Sequence, residues 1–155
     1  MSLKEKLIKL RDNNVDNNTD WEKTKKTWLN DLDTIYSSIK SWFSDLEKEK
    51  LLTYSEETKT IQEEHIGTYD VNILKIHTEI NSIIFEPIGT LLIGAWGRID
   101  FYSNNNPQDK MMLLKTKSQN TDDFVWEIRS KKDRFKGIEF TQKNLENVIE
   151  KWLDR

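Results

Sequence analysis

The sequence predicts an α+β fold: an antiparallel sheet of five or six strands in meander order, with a long N-terminal helix and a C-terminal helix packed on one face. Three observations lead there. Between residues 20 and 50 apolar side chains recur every three or four positions, the period of a helix with one buried face. From residue 58 onward the period falls to two, and Ile, Val, Thr and aromatic residues gather between turn residues, as strands require. The gaps between these strands are too short for crossover helices, so neighbours in sequence pair antiparallel.

The opening stretch, MSLKEKLIKL, places Leu3, Leu7, Ile8 and Leu10 at helical spacing. The Asn- and Asp-rich RDNNVDNNTD follows, and its side chains compete for backbone hydrogen bonds. Residues 1–18 therefore read as a short helix running into a polar linker. Thr19 stands three residues before Glu22, a capping-box spacing that starts a second helix over 20–50. Along it Trp28, Leu32, Ile35, Ile39, Trp42 and Leu46 form a stripe, widened by Leu29, Tyr36 and Phe43. No Pro or Gly interrupts it, which predicts a rod of about 45 Å. Such a rod outreaches a small domain. Its broad, tryptophan-bearing face suits packing on the sheet, and the other way to cover it is self-association as a coiled coil.

Six strands are expected within 58–140, at 58–64, 69–77, 80–86, 91–102, 110–117 and 124–130. The closing helix occupies 141–155: Thr141 is a good N-cap, and Leu145, Val148, Ile149, Trp152 and Leu153 fall on one face. The length of 155 residues, 35% of them hydrophobic, reads as a single domain over 1–155.

Composition removes several function classes. The 24 Lys and Arg nearly balance 27 Asp and Glu, for a net charge of −3, which disfavours a chain-wide grip on nucleic acid or anionic lipid. The locally basic RSKKDRFKG leaves a small phosphate contact open. With no cysteine in the chain, disulfides, thiol nucleophiles, zinc knuckles and iron–sulfur clusters are ruled out. No cofactor or metal is implied. The opening residues lack a secretory pattern and no apolar run approaches about 18 residues, so a cytoplasmic protein without membrane association is expected.

Three glycines, Gly89, Gly94 and Gly97, punctuate the apolar run PIGTLLIGAWGRIDFY. A phosphate loop needs glycines in a turn that opens a helix. Here more strand follows, so Gly89 reads as a turn residue, and Gly94 and Gly97 as bulges or points of close approach. Alternation then puts Leu91, Ile93, Ala95, Gly97, Ile99 and Phe101 toward the core.

The other register exposes Trp96, Arg98, Asp100 and Tyr102, and on the last strand Glu127 and Arg129 face outward beside inward Phe124, Trp126 and Ile128. These six residues form the candidate binding surface, because Trp, Tyr and Arg anchor interfaces. No catalytic residue is assigned. His65 and His77, the two histidines, lack the partners of a nucleophile or a zinc-protease helix. The functional expectation is a non-enzymatic protein-interaction module, an adaptor or accessory subunit, meeting a protein partner or a second copy through the long helix or the sheet surface. The alternatives are peptide or nucleic-acid binding on the exposed sheet, and a metal-dependent hydrolase. Asp100 followed by Glu127-Ile128-Arg129 resembles the Asp…Glu-x-Lys arrangement of the PD-(D/E)xK nucleases, with Arg129 where that family carries lysine. The resemblance implies two carboxylates that hold a divalent metal.

Overall fold

The structure, a computed structural model, describes residues 2–90, 95–118, 120–132 and 136–154, and the backbone alone over 12–20. Helix α1 runs from Leu3 to Trp42, 40 residues, about 60 Å at 1.5 Å per residue. Ser2 and Glu5 close a reciprocal capping box at its start, with Glu5 N–H donating to the Ser2 hydroxyl at 3.2 Å. One helix thus replaces the expected helix, linker and second helix, and the backbone at Thr19 is helical rather than a start. Extending an existing helix through Asn and Asp costs under about 0.7 kcal/mol per residue. A fresh nucleus costs far more.

The helix also ends earlier than expected. At Phe43 the chain turns, and a short helix α2, Ser44–Lys48, follows. Lys50 adopts a left-handed φ of 62°, Lys50 N–H reaches the Glu47 carbonyl and Leu51 N–H the Leu46 carbonyl. That is the double closure of a Schellman motif, which brings the residues at its two ends, here Leu46 and Leu51, into apolar contact.

Among the described residues the sheet has seven strands in sequence order, all antiparallel. They are β1 Thr53–Glu63, β2 Gly67–His77, β3 Ser82–Gly89, β4 Arg98–Ser103, β5 Met111–Lys117, β6 Phe124–Ser130 and β7 Gly137–Glu139. The meander is as expected, with one strand more. Strand β7 is three residues long, too short to show a period of two, and pairs Ile138 with Ile128. Strand β4 begins at Arg98, and the expected core positions Leu91 and Ile93 lie outside the described residues. Its buried face is the expected one: Ile99 and Phe101 are fully buried. Helix α3, Gln142–Leu153, is capped by the Thr141 hydroxyl, which accepts from Asn144 N–H at 3.2 Å.

One core joins the layers. Trp28, Leu32, Ile35, Tyr36, Ile39 and Phe43 of α1 and Leu145, Val148 and Trp152 of α3 pack with Leu74, Ile83, Phe85, Ile99, Phe101, Leu113 and Ile128 of the sheet. Phe85 and Phe101 stack at 5.2 Å, and Trp152 meets Phe101 edge-on at 5.8 Å. Gly97 marks where α1 comes closest to the sheet. A Cβ there would stand 2.9 Å from the Trp28 ring and 3.1 Å from the Trp126 ring, so the close-approach reading of this glycine is the one its surroundings fit. The β1–β2 hairpin buries Leu74 and Ile76 beside β3 and, nearer its turn, the opposite register: Ile61, Tyr69 and Val71. The pairing has no register shift along its length, so the switch is made without a bulge.

Candidate functional site

Five of the six candidate residues share the sheet face away from the helices, but Asp100, expected to be exposed, is buried under the Arg98 guanidinium. Arg98 and Asp100 are two apart on β4, and the guanidinium grips the carboxylate through Nε at 2.7 Å and Nη2 at 3.0 Å. Glu127 and Arg129 repeat the arrangement on β6, with Nη2 to Oε2 at 2.8 Å. Strand β5 runs between them, setting Leu114 between Arg98 and Glu127 and Met112 between Asp100 and Arg129. Opposite charges therefore alternate around Met112 and Leu114. Next along the face, Lys59 meets Glu86 at 2.7 Å, and Lys110 sits 4.7 Å from the centre of the Tyr102 ring. Burial raises the Tyr102 hydroxyl above its ordinary range, with Glu86 adding to it and Lys75 opposing.

Trp96 stands elsewhere. The chain bends at Trp96, just before β4, and Trp96 packs edge-on against Phe124 at 5.1 Å with the Lys117 ammonium 5.6 Å from its ring. Together with Trp28, Asp31 and Lys115 these aromatics line a cleft of about 300 Å³ between α1 and the sheet. Lys115 projects from the core side of β5 and pairs with Asp31 of α1 at 2.6 Å. Trp96 N–H donates to the Lys115 carbonyl while Lys115 N–H donates to the Gly97 carbonyl, so two residues oppose one; strict alternation through Gly97, already a candidate bulge, therefore placed Trp96 on the wrong face.

The two carboxylates of the nuclease-like pattern are therefore each held by an arginine on their own strand. The Arg98 fork occupies both Asp100 oxygens, and Arg129 donates through Nε and Nη2 to Oε2 of Glu127, so a metal would have to displace charge-assisted bonds at each carboxylate. Among the described residues no three His, Asp or Glu side chains come close enough to hold a metal ion. The histidines have structural surroundings. His77 is bracketed along the sheet by the Ser55 and Ser82 hydroxyls, each at 2.7 Å. His65 stacks on Trp21 at 5.2 Å with its ring nearly parallel, which ties the β1–β2 turn to α1.

Two further features had no place in the alternation argument. The first is the beginning of α1, where Leu3, Leu7 and Leu10 are 74%, 56% and 60% exposed. The second is a groove of about 490 Å³ beside the other end of α1, floored by Phe43, Ile76 and Ile83 and walled by Leu46, Leu51, Ile80 and Leu153. The charged residues that line it, Glu79, Glu146 and Glu150, are all acidic. Helical spacing in MSLKEKLIKL revealed the first. The second joins α2, the β2–β3 turn and α3, which no local pattern brings together.

No helix among the described residues is long and apolar enough to cross a membrane. No protein-family model matches this chain, and neither does any curated protein or solved structure.

Proposed function

We propose that this chain is a protein-interaction module, an adaptor or accessory subunit, that engages its partner through the first turns of α1. The observation that carries this reading is one helix with two fates. From Trp28 to Phe43 its apolar stripe is covered by the sheet and α3, whereas Leu3, Leu7 and Leu10, at the same helical spacing, face water. Contiguous exposed aliphatic side chains of this kind mark contact surfaces. The outer sheet face supports the reading less, because its charges are already paired along their own strands. A partner would have to replace bonds that exist before gaining any.

The test is to replace Leu3, Leu7 and Leu10 together by Gln in the full chain. Exposed positions outside the core change stability by no more than about 0.5 kcal/mol each. The dilute variant should therefore keep its melting temperature to within a few degrees, while association with other protein is lost. A fall of about 10 °C or more in dilute solution would place the stripe in the chain's own core and end the proposal.

A further inference from the structure

We infer that the acid-rimmed groove is the receptor for the α1 N-terminal stretch of a second copy of this chain, so that two copies exchange these helices. The inference rests on the reading of that stretch as an interaction element and names its partner. Shape and charge both point this way. The stretch is a basic amphipathic helix: Leu3, Leu7 and Leu10 make one face, and Lys4, Lys6, Lys9 and Arg11 outnumber Glu5. The groove is its complement, apolar along the floor and walls, and among the described residues its charged lining is Glu79, Glu146 and Glu150. An amphipathic helix lying in an apolar groove, with opposite charges at the rim, is a common recognition mode. Lys4 and Lys6 also stand near the helix N-terminus, where the backbone dipole opposes cations. Facing carboxylates offset that.

Geometry decides between the chain's own groove and another's. In a continuous helix Leu7 lies 36 residues before Phe43, about 54 Å along the axis. The stretch and the groove therefore sit at opposite ends of a rod, and the one cannot reach the other. Each copy carries one helix and one groove. A reciprocal pair uses both of each and closes, whereas head-to-tail contacts would continue as a chain.

The chain has no cysteine, so single thiols report contacts cleanly. Leu7→Cys and Ile80→Cys proteins, mixed under mild oxidation, should form a disulfide between the two variants, with little for either alone. Light scattering on the full chain should show a two-chain species that dissociates on dilution. Glu146→Lys/Glu150→Lys should weaken the pair at least tenfold, and Lys6→Glu/Lys9→Glu likewise. Mixing these two variants should restore a heterodimer, because each helix then meets a groove of opposite charge, a rescue that misfolding would not produce. A chain that stays monomeric at high micromolar concentration overturns the proposal. So does adsorption to phosphatidylserine vesicles, lost in Lys6→Glu/Lys9→Glu, with no two-chain species. If the helix substitutions abolish association but the groove substitutions do not, the groove assignment falls while the interaction reading stands.

Discussion

The two ends of α1 are written in the same code and reach different environments. Leu3, Leu7 and Leu10 repeat at four and three, as do Trp28, Leu32, Ile35 and Ile39. The second set is 4% exposed or less, the first more than half exposed. Periodicity specifies which side of a helix is apolar. What covers that side is a property of the rest of the chain, and here the sheet is simply shorter than the helix. The mean strand rise of about 3.3 Å makes an 11-residue strand some 36 Å long, against about 60 Å for α1.

The sharpest way to break the comparison is to remove the same kind of side chain from each end. Ile39 is fully buried between sheet and helices, and Ile39→Ala should cost about 2–5 kcal/mol in a denaturation experiment. Leu10→Ala in the dilute chain should cost no more than about 0.5 kcal/mol. Equal losses would mean that the two ends are covered alike. A smaller effect should follow from Gly97→Ala, which thrusts a methyl group into the Trp28 and Trp126 rings. Overpacking of that sort costs about 1–3 kcal/mol, and an unchanged melting curve would show that α1 does not press on β4.

Much of the fold was legible because its signals are local. The six longer strands, the meander and the Thr141 start of α3 follow from alternation, short gaps and a capping residue, each contained within a dozen positions. The linker expected over 11–18 was read from side-chain competition, a bias of tenths of a kcal/mol per residue. The cooperativity of a helix already under way overrides it. The register of Arg98, Asp100 and Tyr102 was legible, and that of Trp96 was not, because strict alternation was carried through Gly97, the glycine against which the Trp28 ring of α1 packs. The acid-rimmed groove depends on three segments far apart in sequence, 43–52, 76–83 and 146–153. Only tertiary structure assembles it.

Among the changes at the packed end Tyr36 offers the smallest effect, together with a pH signature. Its hydroxyl donates to the Asn72 carbonyl at 2.6 Å, with the Phe85 carbonyl also within 3.4 Å. Burial drives its pKa well above that of a free tyrosine; Glu56 adds to the rise and the Leu74 backbone opposes it. Burial raises Tyr69 as well, with its hydrogen bond to Glu63 adding to the rise, and pushes Tyr54 up to about 12. A raised folded pKa means that the native state holds its protons where the unfolded chain releases them. This stability is complete below pH 10, roughly the unfolded tyrosine value, and is lost as pH rises through 10 toward the folded values. Tyr36→Phe should cost about 0.5–1.5 kcal/mol at neutral pH for the lost hydrogen bond. It should also make the alkaline fall in stability shallower, since one of the retained protons is gone. An identical alkaline slope in the variant would mean that the Tyr36 hydroxyl is open to water, and that α1 is less firmly seated at Tyr36 than at Ile39.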